Sequence, residues 1–193
     1  MTRMTKVDKQ LFPRVCQGDI LRDIAYIEYV SEQDGIVEIS EIVFPLVVVL
    51  TQDCDLEQDY NSRKDENNSS TQDKWLLSVL VAPLYNAEHI YAGVHLSDLG
   101  IKSQTINKGK TPGDNLRKNE TPRYHFLEFP DDVPIVPSVI DFKHYFSVNV
   151  QHIQEMKQTS FVCSVSALFR EDISQRFTSF LARIGLPEIK TTS

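Results

Sequence analysis

The chain has 193 residues, room for one full core with insertions but a tight fit for two complete domains. Its 41% hydrophobic and 24% charged residues exclude a wholly disordered or fibrous chain. Twenty Lys and Arg against 27 Asp and Glu leave a net charge of −7, which argues against a surface that is basic everywhere while allowing one local basic patch.

In chain order, the start from Met1 to Lys9 is polar and mixed in charge, with no apolar stretch behind it to serve as a secretory signal, so cytoplasmic residence is expected. Gly18 to Val30 is rich in Ile, Tyr and Val and predicts an opening strand after a Gly turn. Asp34-Gly35 offers tight-turn chemistry, and Ile36 to Val43 alternates as a half-buried return strand does. After Pro45, Leu46 to Leu50 is an unbroken apolar run that predicts a separate strand buried on both faces. The apolar stretch from Ile42 to Leu50 is the longest, far short of the roughly 20 residues that cross a bilayer, so no membrane partner is expected.

Glu57 to Lys74 contains no aliphatic residue and predicts a flexible insertion. Trp75 to Ala82 predicts a strand stopped by Pro83 and lying beside Leu46 to Leu50. Asn86 to Leu99 fits no period cleanly and leans to helix. Lys102 to Pro122 is a polar loop with five bases (Lys102, Lys108, Lys110, Arg117, Lys118) against Asp114 and Glu120. Short strands are expected at Tyr124 to Phe129, Ser138 to Phe142 and Tyr145 to Gln151, with Pro130, Pro134 and Pro137 making a corner. From Val165 to Ile184, the spacing of Leu168, Ile173, Phe177, Phe180, Leu181 and Ile184 predicts a closing amphipathic helix, stopped by Gly185 and Pro187. The expectation is one mostly β, α+β domain over 1–193.

Three groups of residues suggest chemistry. The first is Thr51 to Leu56, at the end of the buried run. Here Cys54 reads as a nucleophile, or Asp53 and Asp55 read as a general base or as ligands of Mg²⁺ or Mn²⁺. The plainer reading is a turn in which both carboxylates bond nearby backbone N–H groups and Cys54 packs inward, because two flanking carboxylates repel a thiolate. The second is Arg123 and His125, which share the parity of one strand face and so set a cation beside a proton carrier. The third is the basic loop, with Tyr124 after it as a stacking surface for a polyanion such as RNA. None of the five histidines shows the i, i+4 spacing of a zincin, and Cys16, Cys54 and Cys163 are too scattered for a disulfide framework or a metal knuckle. Phosphate-loop and dinucleotide glycine motifs are missing, so no cofactor is expected.

The order of these pieces resembles the PemK/MazF family of bacterial toxins. Gly18-Asp19-Ile20 is similar to that family's first strand, Pro45 to Thr51 to its Arg-Pro-x-Val-Val-Leu-Ser strand, and Leu77 to Pro83 to its following strand ending in Pro. The resemblance implies an SH3-like small barrel, metal-independent RNA cleavage and a toxin or phage-defence setting. The chain departs where chemistry matters. The family's catalytic Arg position is Phe44, and its Ser/Thr after the second Pro is Leu84, while Thr51 does occupy the family's Ser position. Two functions follow: a divergent toxin-like module that binds RNA or another polyanion through Lys102 to Arg123, with or without cleaving it by means of Arg123 as charge stabiliser and His125 as acid or base; or a non-enzymatic module that docks a protein at the edge beside Cys54 or through the Glu57 to Lys74 insertion.

Overall fold

The computed structural model describes residues 4–65, 71–109 and 114–183. The chain is a mixed α+β protein whose antiparallel strands curl into a half-barrel with helices against it. The strands are β1 (Val7–Asp8), β2 (Asp19–Gln33), β3 (Ile36–Val49), β4 (Ser78–Asn86), β5 (Tyr124–Leu127), β6 (Ser138–Asp141), β7 (Phe146–Asn149) and β8 (Phe161–Val165). The helices are α1 (Asp53–Lys64), α2 (Ala87–Ala92), α3 (Val150–Ser160) and α4 (Ala167–Leu181). The sheet runs β1-β8-β2-β3-β4-β6-β5, with β7 on the other side of β4. Strand β4 is the hub: Ser78 to Val81 pair with β7, Val81 to Pro83 with β3, and Leu84 to Asn86 with β6. Among the described residues no helix is long and apolar enough to cross a membrane.

The expected hairpin is present, with Asp34 at φ 53° and Gly35 at φ 78°, the pair of positive φ values that a two-residue hairpin turn needs. Pro45 does not divide β3 as expected. It lies opposite Asp23, which takes φ 57°, between the pairs Arg22↔Leu46 and Ile24↔Phe44. The missing proline N–H thus falls at a kink where no ladder bond is made. Pro83 likewise does not stop β4, because it sits where the strand passes from one set of partners to the next. Of the run Leu46 to Leu50 expected to be buried on both faces, Val47 to Leu50 are buried and Leu46 is only partly so. Val48 packs with Ile20, Ala82 and Phe142 under the α4 residues Phe169, Ile173 and Phe177, while Val47 and Val49 pack with Val79, Val81, Phe146 and Ile153.

Three segments correct the sequence-based expectations. Residues 57–64 belong to helix α1 and not to a flexible insertion. Polar contacts replace the missing aliphatic ones: Asp59, 4% exposed, takes both Arg63 Nε contacts at 2.9 and 3.0 Å and the Leu76 N–H at 2.6 Å. Residues 66–70 of that segment lie outside the described ones. Val150 to Ser160 form α3, although residues up to Gln151 were expected in a strand; Asn149 Oδ1 accepts the Gln151 and His152 N–H groups and starts the helix. In α4, Leu168 and Leu181 face solvent, and Phe169 takes the buried place beside Ile173, Phe177 and Phe180. Ile184, Gly185 and Pro187 lie outside the described residues.

Candidate functional site

Strand β6 ends in Asp141, whose side chain is fully buried and whose Oδ1 accepts the Lys143 N–H at 3.0 Å. That bond starts a single 3₁₀ turn, Phe142–His144, which brings His144 back over the strand end. On the neighbouring β5, Tyr124 pairs with Asp141, and the Phe142 N–H bonds the Arg123 carbonyl at 3.0 Å. Arg123 is therefore held beside Asp141 by backbone register, and its guanidinium grips the carboxylate through Nε at 2.8 Å and Nη2 at 2.5 Å. Its side chain is still 32% exposed, so part of the guanidinium remains open to solvent.

A third element closes the group. Helix α2 ends at Gly93, φ 72°, where a Cβ would collide with the Ser103 carbonyl, so only glycine fits this turn. The Ser103 N–H bonds the Gly93 carbonyl at 3.0 Å and the Ile106 N–H bonds that of Tyr91 at 2.9 Å, which pins the start of the basic loop against α2. The turn returns His95 to the β4 residue Tyr85, ring centroids 4.9 Å apart. Both His95 ring nitrogens are buried and have no hydrogen-bond partner among the described residues. Tyr85 Oη lies 3.1 Å from His144 Nδ1, and Asp141 Oδ2 lies 3.4 Å from the same nitrogen.

One ring nitrogen each of His95 and His144 and one Asp141 oxygen lie within 4.8 Å of one another, a spacing that fits a metal ion. The carboxylate already accepts Arg123 twice and the Lys143 N–H, and a guanidinium beside a cation is repulsive. The donor set therefore fits an ion-pair and histidine cluster better than a metal centre. Burial lowers the pKa of both His95 and His144; Asp141 opposes the shift and Arg123 adds to it. Burial, helped by Asp141, raises the Tyr85 phenol, which stays protonated.

His144 forms part of the wall of two adjoining cavities. The larger, about 730 Å³, is lined by Lys102, Asn115, Arg123, Tyr124, Lys143 and His144, among others. The smaller, about 260 Å³, is lined by the aromatics Tyr26, Phe44, Tyr85, Tyr145 and Phe146. Lys102, Lys143 and Arg123 make the larger one cationic, and Tyr124, with the Arg123 guanidinium 5.0 Å from its ring centre, gives it an aromatic wall.

Several expected site residues fall elsewhere. His125 points into the core, 1% exposed against Phe142, and does not share the cavity with Arg123. Arg123 does not share the strand face of His125 as expected, because it precedes β5 and is turned by its ion pair with Asp141. Burial, with Arg176 nearby, lowers the His125 pKa to about 3. Between that value and the usual 6.5 the unfolded chain binds a proton that the native one does not, so stability falls as pH drops through this window, by up to about 1.4 kcal/mol per unit. Urea midpoints at pH 7 and pH 4.5 are expected to drop less in His125→Phe than in the wild type.

Thr51, Asp53, Cys54 and Asp55 are not among the residues lining either cavity. Thr51 Oγ1 accepts the Leu80 N–H at 2.7 Å and fastens β4. Asp53 opens α1 and is held by Arg14 at 2.9 and 3.0 Å and by the Gln17 N–H at 3.1 Å. Burial pushes its pKa up, but these bonds outweigh it and hold the carboxyl below its usual range. Cys54 is exposed in the first turn of α1, not packed inward, and Asp55 is exposed beside it. Of the basic loop, Lys102 lines the cavity, Lys108 pairs with Glu88, Arg117 pairs with Glu128 at 3.0 Å, and Lys118 is exposed. Lys110 lies outside the described residues.

His95, His144, Asp141, Tyr85 and Lys143 are the site residues that sequence reasoning missed. The available signal was Asp141 and His144 at i, i+3 after a strand, which is enough for a carboxylate to reach a histidine across one tight turn. Comparison with protein-family models, curated proteins and solved structures returns no match, so function rests on the geometry of the site itself.

Proposed function

We propose that the chain binds single-stranded RNA in the Lys102, Arg123 and Lys143 cavity and cleaves it without a metal, with His144 as general base and Arg123 as the charge stabiliser. The observation that supports this most is the placement of a histidine of lowered pKa on the wall of a cationic, tyrosine-bearing cavity, fixed by a buried carboxylate. An Nδ1–H donated to Tyr85 or Asp141 leaves Nε2 as the basic atom of a ring that is neutral near pH 7. His144 takes the proton of a ribose 2′-hydroxyl, and that oxygen attacks the adjacent phosphorus; the bond from phosphorus to the 5′-oxygen breaks, that oxygen takes a proton from water, a 2′,3′-cyclic phosphate remains, and the imidazolium returns its proton to solvent. The negative charge that grows on the phosphoryl oxygens during the attack meets Arg123 and Lys143.

The layout supports a divergent PemK/MazF-like SH3 barrel of the toxin or phage-defence type. Phe44, at the family's catalytic Arg position, packs on Tyr85 with ring centroids 6.4 Å apart and lines the aromatic cavity that adjoins His144. In this proposal the guanidinium is supplied from Arg123 instead, on the other side of the same histidine.

The test is an anisotropy titration of labelled single-stranded RNA with wild type and the Lys102→Ala/Lys143→Ala variant across salt concentrations. The variant is expected to bind more weakly to all sequences, and its slope of log affinity against log salt should flatten by about 1.4, or about 0.7 per lost phosphate contact. Equal binding by the two proteins, or none at any salt, defeats the proposal.

A further inference from the structure

Beyond Arg22, the β2-β3 hairpin leaves the sheet. β2 pairs with β8 only through Leu21, and β3 pairs with β4 only from Val47. Residues 25–43 are thus a two-stranded ribbon whose outer edges have no strand partner, a structure that is marginal in water by itself. Cross-strand pairs fix which side chains share a face. Ala25↔Val43, Ile27↔Glu41, Val30↔Ile39 and Glu32↔Val37 lie on one side. Leu21 and Ile24, like Val47 and Phe44, pack into the same core group across the kink at Asp23, which brings Arg22↔Leu46 at the root into line with that side. On that side Ile27, Val30, Val37, Ile39 and Val43 are 48%, 62%, 59%, 61% and 50% exposed, a continuous β-branched strip with Glu32 near the tip and Glu41 midway. The opposite side is covered at its root, where Tyr26 rests on Phe146.

At the foot of the open strip, Arg22, Asp23, Pro45, Leu46, Pro134 and Val162 surround a hollow of about 400 Å³. Arg22 is exposed and has no carboxylate partner among the described residues. Residues 23–43 contain six acids and no Lys, Arg or His, so this Arg is the cation nearest in sequence to the strip. The ribbon therefore carries, along one face, an apolar strip with a cation at one end and an anion at the other. Such a face complements a copy of itself turned end to end.

We propose that two copies of the chain pack these strips face to face about a two-fold axis, each tip seated in the hollow at the root of the other. With the axis at the Ile27↔Glu41 pair, the register matches row by row: Arg22 meets Glu32 of the second copy, Leu46 meets Val37, and Ala25 and Val43 meet Val30 and Ile39. Ile27 meets its own counterpart. This is an aligned sheet-on-sheet contact of the kind that closes β-sandwiches, and its symmetry is isologous. Within the paired rows, only Glu41 meets a like charge, its own symmetry mate. The interface does not use the His144 cavity and stands or falls apart from RNA cleavage.

The test is sedimentation equilibrium from low to high micromolar concentration. Wild type is expected to dimerise. Val37→Asp/Ile39→Asp changes residues that are exposed in the monomer, so it should be monomeric with unchanged circular dichroism. Arg22→Glu and Glu32→Arg should each weaken the dimer by at least about 10-fold, and the double variant should recover most of the loss. Glu41→Gln should tighten it by about 2- to 5-fold, because opposed like charges cost up to about 1 kcal/mol. A wild type that stays monomeric, a dimer indifferent to Val37→Asp/Ile39→Asp, or a charge swap that fails to rescue overturns the proposal.

Discussion

His144→Ala is expected to slow RNA cleavage by about 10²- to 10⁴-fold, the usual worth of a positioned general base, while RNA affinity changes by only a few-fold. The split arises because the charge that holds RNA in the proposed site comes from Lys102, Arg123 and Lys143, not from a neutral imidazole. Burial lowers the His144 pKa, so the ring keeps its lone pair through neutral pH and loses it only as the pH falls below the ordinary histidine range. The cleavage rate should accordingly be flat near pH 7 and fall on the acid side. Tyr85→Phe, which deletes the hydroxyl 3.1 Å from Nδ1, tests positioning: it should lower the maximal rate and move the acid limb without changing RNA affinity. Single-turnover cleavage followed on gels across pH measures all three effects. A full rate for His144→Ala, or loss of affinity in step with rate, rejects the imidazole as base.

The largest effect on stability is expected from Lys157→Met, at about 3–5 kcal/mol. Lys157 and Asp19 are both fully buried and joined at 2.7 Å, with Lys157 also donating to the Arg14 carbonyl. Asp19 in turn accepts the Cys16 N–H at 2.7 Å and the Ser164 hydroxyl, so this one carboxylate fastens the start of β2 to β8 and α3. Methionine approximates the lysine stem but removes the cation, which strands the carboxylate in the core. Asp19→Asn combined with Lys157→Met should cost clearly less than the sum of the single changes, because no uncompensated charge remains. Urea unfolding of the four proteins completes the cycle, and strict additivity contradicts a direct pair.

Much of the half-barrel is legible in the sequence. Ile36 to Val43 reads as a strand, although it is largely exposed and not half-buried as its pattern suggests, Asp34-Gly35 specifies the turn, and the apolar run Val47 to Val49 is buried on both faces. Ile173, Phe177 and Phe180 of α4 recur at helical spacing and mark its inner face. These features are local: they depend on periodicity and on the φ that a residue permits, and a neighbour in sequence suffices to reveal them. The helical state of residues 57–64 was not legible, since α1 is held by Leu76 and Arg14, partners 17 and 39 residues away from the helix residues they fasten only once the strands are paired. Hydrophobic pattern carries no trace of such bonds.

The candidate site divides the same way. Arg123, Tyr124 and Lys102 stand out as a cation-rich stretch with an aromatic, and the sequence determined that much. Which histidine joins them was decided by the sheet. Strand β5 turns His125 into the core against Phe142, where desolvation holds it neutral, and the 3₁₀ turn after Asp141 brings His144 to the cavity wall instead. His95 arrives from a third segment through the left-handed turn at Gly93. A carboxylate, a guanidinium and two imidazoles from positions 95, 123, 141 and 144 become neighbours only because β6 pairs β4 on one side and β5 on the other. Charge and polarity are properties of single residues, whereas burial and the partner that a charge meets belong to the packed sheet, and they set what each side chain can do.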